Sequence, residues 1–419
     1  HTDKVNECHL VGGDDRHLLT CSDDYMINMY DSATFSRPQT FDFGASVQCL
    51  TVRPRNDALH QRGYVLAGGA DYLIKAFPLN PEEVRPVLDA CNAIMPPRRP
   101  QPFEFEAARF RGHAGRVMTI TVHPSGKTMA TGAHDFNIFL WKFDDALPDL
   151  AGNRSEHDVP VITPAARIDA HRGHVTGLAF QFAGDAASLL ASCGSDHAVK
   201  VWRCSETGVM GPSLTAVWSA DRKEEGGHTS VVSALTWGKN ESSDILFSAS
   251  WDHSIKAWEG GARAAAPLVT LTGHTARITD LDTSDTGEYL ASCAADFTAV
   301  VWQAHAPFNA LVRYTNSTTD GYLASISVGR ELFVTATDKG QVALWPLPGG
   351  GRDSKFHKTT EGEQLGTAEV VEVAALVHAA AAPAAIAVTG GAGGGPSVPP
   401  SLPAPGGAAP VAGAAATST

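Results

Sequence analysis

The sequence lacks the patterns that usually identify an enzyme, a membrane protein or a nucleic-acid-binding protein. It contains no Gly-x-Ser-x-Gly elbow, Walker loop, His-Glu-x-x-His pair or EF-hand loop, so the common hydrolase, nucleotide and metal signatures are missing. Basic residues are outnumbered, with 32 Lys and Arg against 45 Asp and Glu and a formal charge of −13. This argues against the basic stripe of a nucleic-acid interface. We therefore expect no catalytic site, no metal, no cofactor and no nucleic-acid partner.

Long apolar runs and cysteine pairs are also scarce. No run approaches the roughly 20 apolar residues of a membrane helix, and we expect no membrane insertion. The seven cysteines are an odd number and form no Cys-x-x-Cys pair; reduced cysteines of this kind are typical of a reducing compartment. We expect a cytoplasmic protein, with the cilium or the nucleus as alternatives.

What the sequence does contain is a unit that recurs through most of its length. Each unit opens with a His, continues through short β-rich runs, and ends in an Asp followed six residues later by an aromatic residue. The run Leu189–Ser192 and the run Ala198–Trp202 flank the turn residues Gly194-Ser195-Asp196-His197, which predicts a hairpin. A repeat of this size indicates one small sheet per copy, stacked on its neighbours.

The clear copies share four polar or aromatic positions: the opening His, a hydroxyl residue four places before the Asp, the Asp itself and the terminal Trp. A buried carboxylate is costly unless its hydrogen bonds are satisfied, and imidazole, hydroxyl and indole groups can satisfy them. Because the set recurs from copy to copy, we interpret it as structural. The four quartets are His113, Thr131, Asp135 and Trp141; His171, Ser192, Asp196 and Trp202; His228, Ser248, Asp252 and Trp258; and His274, Ser292, Asp296 and Trp302.

These residues resemble the WD-repeat (Trp-Asp repeat) family of β-propellers over about residues 1–348. The resemblance implies an all-β fold, a seven-bladed propeller of four-stranded antiparallel sheets, in which each quartet forms a hydrogen-bonded chain within one blade. Blade one keeps His1, Thr20 and Asp24 but ends in Tyr30. Blades two and seven lack the His.

Three segments extend beyond the repeats within the propeller, at 78–108, 144–163 and 203–226, and we interpret them as insertions. A helix is predicted to begin near Pro81. Residues 349–389 are predicted to form a linker with possible extra strands or a closing segment, against a short helix. Residues 390–419 are Gly/Ala/Pro-rich and are predicted to be a disordered tail.

Candidate partner contacts follow from position within the repeat. Four lie three residues after the opening His, and two directly precede the turn Asp. A basic and aromatic cluster on an acidic protein suits an acidic peptide; ordinary solvated surface is the alternative. The six residues are Lys4, Arg116, His174 and Arg277, with His134 and Trp251.

The function that best fits a closed repeat fold without reactive groups is a non-enzymatic scaffold that holds other proteins or peptides in a multiprotein assembly. The segments Arg111–Gly115 and Ser248–Ile255 look like parts of WD-repeat ribosome-assembly factors, and a ciliary or axonemal protein is an equal alternative. An enzyme framed by the propeller, or a reader of an acidic ligand, is the other hypothesis. An enzyme would need acids, a metal or a nucleophile converging on the central channel, which the sequence does not show.

Overall fold

The computed structural model describes residues 1–348 except 12–16, 33, 35, 38, 54–62, 80–105, 144–158, 182–188, 206–211, 222–225, 261–265 and 317–320. Beyond 348 it describes 358–359 and 367–369. All of these residues belong to one compact unit, His1–Ala380; the second unit, Ala381–Thr419, lies outside the described residues, as does the predicted tail. The helix predicted near Pro81 also lies outside them.

The described strands form seven antiparallel sheets that follow one another along the chain, which confirms the predicted seven-bladed propeller. Blades are numbered one to seven in chain order. The strands of blades one to three are β1 Val5–Val11, β2 His17–Ser22, β3 Met26–Asp31 and β4 Gln39–Asp42; β5 Val47–Arg53, β6 Tyr64–Gly69, β7 Leu73–Pro78 and β8 Ala108–Arg111; and β9 Val117–Val122, β10 Thr128–Ala133, β11 Asn137–Lys142 and, after β12 Val161–Ile162, β13 Ala166–Asp169. Those of blades four to seven are β14 Val175–Phe180, β15 Leu189–Gly194, β16 Val199–Ser205 and β17 Ser213–Ala220; β18 Val232–Trp237, β19 Ile245–Ser250, β20 Ser254–Glu259 and β21 Val269–Thr272; β22 Ile278–Thr283, β23 Tyr289–Ala294, β24 Thr298–Gln303 and β25 Ala310–Thr315; and β26 Leu323–Val328, β27 Leu332–Thr337, β28 Val342–Pro346 and β29 Lys358–Thr359.

The first strand of each blade lines the centre of the ring. Each of these inner strands contacts the inner strand of the next blade, and β26 of blade seven contacts β1 of blade one, which closes the ring. The second and third strands are almost fully buried because both of their faces pack against neighbouring blades. In β10, for example, all six residues are buried. Strands that are buried on both faces have nearly continuous apolar sequences, which explains the β-rich segments of this chain.

Aromatic side chains fill the spaces between adjacent blades. Between blades two and three, Phe110 meets Trp141 edge-to-face at a centroid distance of 5.6 Å and Phe143 at 6.0 Å. Between blades six and seven, Tyr314 lies 5.2 Å from Trp345. Since each blade buries one face on either neighbour, no sheet has to be stable alone.

Two sheets have a fifth strand that the family pattern does not imply. In blade two, β12 runs parallel to β8, and in blade six, β30 (Thr367–Glu369) pairs with β25. This fifth strand, Val161–Ile162, follows the third strand of blade three in the sequence but pairs at the edge of blade two. The outer strand of blade seven, β29, also comes from beyond residue 348. The predicted β-like runs at 370–377 and 385–389 lie outside the described residues.

One sequence interpretation is wrong. The segment 203–226 was expected to be an insertion, but its residues Ser213–Ala220 form β17, the outer strand of blade four, paired with β16 along most of its length. Outer strands carry none of the four repeated positions. The sequence pattern therefore offers no signal that distinguishes an outer strand from an inserted loop.

Candidate functional site

The best-formed quartet lies in blade three and links the loop before β9 to the hairpin of β10 and β11. His113 Nδ1 lies 2.9 Å from Asp135 Oδ2, and its Nε2 lies 2.8 Å from Thr131 Oγ1. Trp141 Nε1 donates to the same hydroxyl oxygen at 2.8 Å. This geometry assigns a chain of donors in which the indole donates to the hydroxyl, the hydroxyl to Nε2, and the Nδ1 hydrogen to the carboxylate.

The same arrangement is present in blades four, five and six. The imidazole-to-hydroxyl distance is 2.8 Å in all three, and the indole nitrogen lies 2.8–3.0 Å from that hydroxyl. The structure brings together His171, Ser192, Asp196 and Trp202; His228, Ser248, Asp252 and Trp258; and His274, Ser292, Asp296 and Trp302. Each quartet is confined to its own blade, so the quartets do not converge on a common cavity.

The hydrogen bonds of the quartets keep the turn carboxylates ionised. Burial raises the pKa of Asp135, but the hydrogen bond and charge of His113 and the amides of Ala114 and Asn137 outweigh it and lower the pKa to about 2. Burial and hydrogen bonds act on Asp196 in the same way, and its pKa is lowered to about 2. For Asp252 and Asp296 the same causes also lower the pKa.

The remaining blades use other partners. In blade one, His1 Nε2 lies 2.7 Å from Thr20 Oγ1 and its Nδ1 2.9 Å from Asp24 Oδ2. In blade seven, Trp345 Nε1 donates to Thr335 Oγ1 at 2.8 Å without any imidazole.

Blade two lacks the opening His, and a buried lysine that the repeat pattern did not single out contacts its turn Asp. Lys75 Nζ donates to the carbonyl of Phe43 and lies 3.3 Å from Asp71 Oδ2 and 3.6 Å from Glu106 Oε1. It also lies 4.2 Å above the centre of the Phe43 ring. The ammonium group therefore has both ionic and cation–π partners.

The turn between the second and third strands has an unusual backbone in six blades. The residue after the Asp has a positive φ of 64–74° in every case, although none of the six is glycine. Such left-handed conformations cost non-glycine residues roughly 1 kcal/mol or more. All six carry a ring: Tyr25, Tyr72, Phe136, His197, His253 and Phe297. Blade seven has Gly340 at this position, with φ +84°.

The repeat pattern did not single out these rings as candidate contacts, because the predicted contacts at this turn are the residues before the Asp. Tyr25, Tyr72 and Phe136 expose 52%, 46% and 43% of their surface. With Trp251, at 43%, they are four of the six exposed large hydrophobic residues in the described part of the chain. The signal available to a sequence reader was an aromatic or imidazole residue directly after the turn Asp.

The loops that carry the opening His and the turns that carry the Asp meet at one end of the ring. In each blade, the backbone amide of the residue before the Asp position donates to the carbonyl of the residue directly before the inner strand, as His134 does to Arg116 and Trp251 to Val231. We call this end of the propeller the turn face. It contains all six predicted contacts: Lys4, Arg116, His134, His174, Trp251 and Arg277.

The structure divides the six predicted contacts between two clusters. Lys4, Trp251 and Arg277 line the central cavity, and the Arg277 guanidinium lies between two rings, 5.3 Å from that of Trp251 and 5.4 Å from that of Tyr322. The other cluster lies where blades three and four meet. There, the ring centroids of His134 and His174 are 4.1 Å apart.

The second cluster is completed by Phe136 and Arg116. The Phe136 ring lies 5.3 Å from that of His174, whose Nδ1 is 2.9 Å from the carbonyl oxygen of His134. Burial lowers the pKa of His134, and the nearby His174 and Arg116 lower it further. Arg116 contributes a permanent positive charge to this cluster.

The central cavity has a volume of about 560 Å³ and is lined by the inner strands. Three carboxylates, Glu7, Asp280 and Asp282, lie along one side of it, on blades one and six. Acids that converge on the channel were not evident in the sequence, because the ring closure brings these three together from positions that are far apart along the chain. Within the described residues, no three His, Cys, Asp or Glu side chains are placed to hold a metal ion.

No helix among the described residues is both long and apolar enough to cross a membrane. The ring of seven sheets and the repeated quartets define a WD-repeat β-propeller. The family model described as "WD domain, G-beta repeat" matches the chain at 106–142, 162–203, 222–259 and 265–303, which correspond to the copies with complete quartets. The resemblance to the WD-repeat family is confirmed: four repeats of this chain match the family model.

Among curated proteins, the chain is similar to proteins that carry three different names. It is 26% identical over 265 residues to the nuclear distribution protein PAC1 of Arthroderma benhamiae, covering 57% of this chain and 51% of that protein. It is 27% identical over 229 residues to the ribosome biogenesis protein WDR12 homolog of Drosophila pseudoobscura pseudoobscura, covering 46% and 52%. Protein hir1 of Schizosaccharomyces pombe is 26% identical over 200 residues, covering 46% and 20%. The chain thus spans about half the length of the first two relatives and a fifth of the third.

Proposed function

We propose that this protein is a non-enzymatic scaffold that binds other proteins or peptides through its turn face. The observation that carries the proposal is the set of exposed rings held in left-handed turns. Exposed apolar surface and backbone strain both cost stability, and both concentrate at interaction sites. The four rings with the largest exposure on this face lie on blades one, two, three and five.

The charge of the same face supports an acidic segment as the ligand. Arg116 and Arg277 are exposed, and each lies beside aromatic or imidazole rings. A guanidinium positioned over a ring keeps its donors free for a carboxylate while its orientation is fixed. We therefore infer that an acidic peptide would place carboxylates near Arg116 and Arg277 and apolar side chains on Phe136 and Trp251.

The experiment is affinity capture from the native cell with matched surface variants. One variant combines Arg116→Ala, Trp251→Ala and Arg277→Ala, and a second replaces Tyr25 and Tyr72 with Gly, which suits the left-handed turns. The control replaces the other two exposed large hydrophobic residues of the described chain, Val161 and Leu268, with Ser. We expect both turn-face variants to lose partners that the control keeps. If folded turn-face variants retain every partner, the proposed face is wrong.

A propeller-framed enzyme is the second candidate, because Glu7 and Asp280 lie in a cavity and have raised pKa values. Burial raises the pKa of Glu7 to about 8 and that of Asp280 to about 7, the perturbation expected of an acid–base pair. However, both carboxylates accept main-chain hydrogen bonds from the neighbouring blade, which favours a structural role. Stoichiometric metal or cofactor in the purified protein would favour the enzyme.

A more specific proposal is that the protein acts as a scaffold in ribosome biogenesis, which the similarity to the WDR12 homolog supports. A ciliary or axonemal role stays a prediction, and so does the location in cytoplasm, cilium or nucleus. Partners captured from the native cell distinguish these alternatives. Pre-ribosomal proteins among them would favour the first, and axonemal proteins would favour the second.

A further inference from the structure

Side-chain-to-main-chain hydrogen bonds join the inner strands around the ring. Between blades three and four, a hydroxyl forms the bond: Leu178 N–H donates to Thr119 Oγ1 at 3.1 Å. Between blades four and five, Thr176 Oγ1 donates to the Val232 carbonyl. Neither of these groups changes charge near neutral pH.

Around blade seven, carboxylates form the corresponding bonds. Asp280 Oδ2 accepts from Ile326 N–H at 3.0 Å and from Ser325 Oγ at 2.8 Å, and Asp282 Oδ2 accepts from Val328 N–H at 2.9 Å. These bonds join blade six to blade seven.

The connection continues to blades one and two. Ser325 Oγ also accepts from Cys8 N–H at 3.2 Å, and Ser327 Oγ accepts from Leu10 N–H at 3.1 Å. Glu7 Oε2 in turn accepts from Leu50 N–H of blade two at 2.7 Å. One network of acids and serines therefore runs through the blades where the ring closes. We call it the closure network.

The groups that face the closure network include few cations. Glu7 faces the carboxylates of Asp280 and Asp282 and the buried thiols of Cys8, Cys21 and Cys49. His9 lies near Asp282, Lys239 and Asp285, and burial lowers its pKa. Lys239 is itself bound to Asp285 at 2.8 Å. Lys4 and Arg277 line the same cavity, but no ion pair joins either of them to a network carboxylate among the described residues.

We propose that the closure network is a pH-dependent clasp: while Glu7 and Asp280 are protonated it holds blade seven between blades six and one, and their deprotonation loosens blade seven. Two like charges that approach across β26 repel each other in a poorly hydrated channel. Protonation of one acid removes the repulsion and leaves the carbonyl oxygen free to accept the main-chain bond. The proposal does not depend on the proposed scaffold function.

The direction of the effect follows from the raised pKa values of Glu7, about 8, and Asp280, about 7. Burial is the main cause in both, and neighbouring carboxylates add to it. An acid whose pKa is higher in the folded protein binds a proton on folding, so it stabilises the fold fully below its unfolded value near 4. That stability is lost as the pH rises through the folded values of about 7 and 8.

Hydrogen exchange measured by mass spectrometry between pH 6 and 8.5 tests the clasp. Protection of peptides covering β26 is expected to fall by at least about tenfold, since each proton bound on folding contributes about tenfold per pH unit. Protection of β14, whose bond to Thr119 does not titrate, serves as the internal control. Rates are corrected for intrinsic exchange at each pH.

Isosteric variants test which acids are responsible. Glu7→Gln together with Asp280→Asn keeps the acceptor oxygens and is expected to remove the pH dependence of β26. Asp169→Asn, at a side chain that is 84% exposed, is expected to keep it. The clasp is excluded if wild-type β26 protection does not fall relative to β14, or if the double variant retains the full pH effect. Should the double variant fail to fold, the wild-type comparison of β26 with β14 decides alone.

Discussion

At the residue scale, removing the hydroxyl of a quartet is predicted to lower the free energy of unfolding, because that hydroxyl forms hydrogen bonds with two buried partners. Ser248 Oγ lies 2.8 Å from His228 Nε2 and accepts from Trp258 Nε1 at 2.8 Å. Ser248→Ala leaves both nitrogens without this partner in a buried site. We expect a loss of about 1–3 kcal/mol in the free energy of unfolding, measured by denaturant titration.

The control for this change is Ser213→Ala, at an exposed position where β17 begins. We expect it to change the free energy of unfolding by less than about 0.5 kcal/mol. If Ser248→Ala is equally neutral, the quartet contributes little to stability and its structural interpretation is wrong.

The quartet carboxylates also predict how the protein responds to acid. Because the pKa values of Asp135 and Asp196 are lowered to about 2 in the fold, these groups stabilise the protein above their unfolded value near 4. Their contribution is lost as the pH falls from about 4 through 2. We expect the free energy of unfolding to fall below pH 4, and to fall less steeply in Asp135→Asn, which lacks one of the four quartet carboxylates with a lowered pKa. An equal acid dependence in the variant would contradict the assignment.

At the scale of a single blade, blade two shows that the same element can be stabilised by different chemistry. Lys75 joins the loop before β5, the turn before β7 and the start of β8 through Phe43, Asp71 and Glu106. Lys75→Met leaves Asp71 without its cation near a largely buried site, while Glu106 keeps its ion pair with Arg109. We expect a loss of about 2–3 kcal/mol in the free energy of unfolding, because removing one partner of a buried pair is costly.

Lys200→Met is the matched comparison, since Lys200 is the equivalent position in blade four and donates to the Ala170 carbonyl at 2.6 Å. No carboxylate accompanies it in an ion pair within the described residues. We expect a smaller loss, about 1 kcal/mol. If the two variants are destabilised equally, the carboxylates of blade two do not contribute.

The blades that the sequence predicted well are those in which all four repeated residues are present. Spacing placed Thr131 and Trp141 at repeated positions, and the resemblance to the WD-repeat family implied that they share one hydrogen-bonded chain; a hairpin with a fixed turn sets which residues face each other. Lys75 could not be predicted in this way, since a lysine has no fixed place in the repeated pattern. β17 was misassigned for a related reason: an outer strand makes few buried side-chain contacts, and its sequence is correspondingly unconstrained.

At the scale of the whole molecule, ring closure creates contacts that no local pattern contains. Glu7 belongs to blade one and Asp280 to blade six, far apart in the sequence. They share the closure network because β26 lies between their strands. On the turn face, the repeat and the packing between blades both contribute. Its backbone positions follow from the repeat, but which side chains are exposed depends on how the blades pack. Arg277 meets Tyr322 of the next blade, a contact between two repeats that align poorly.

The contact between blades seven and one provides a final test, because the same left-handed turn position holds a glycine in blade seven and a tyrosine in blade two. Gly340 has φ +84°, and a Cβ there would lie 2.8 Å from the His1 carbonyl oxygen and 3.0 Å from that of Asp3. Gly340→Ala therefore has to strain its backbone and push blade one away. We expect a loss of about 2 kcal/mol in the free energy of unfolding and faster hydrogen exchange in β1 and β28.

Tyr72→Gly changes the equivalent turn of blade two in the reverse direction. It relieves a left-handed tyrosine at φ 69°, so we expect stability to be unchanged or to rise by up to about 1 kcal/mol. The pair separates two explanations for the rings on the turn face. If Tyr72→Gly is clearly destabilising, the ring contributes to packing, and its exposure is incidental. If it is neutral or stabilising, the tyrosine is kept at a cost to the fold, which is the expected property of a residue that contacts a partner.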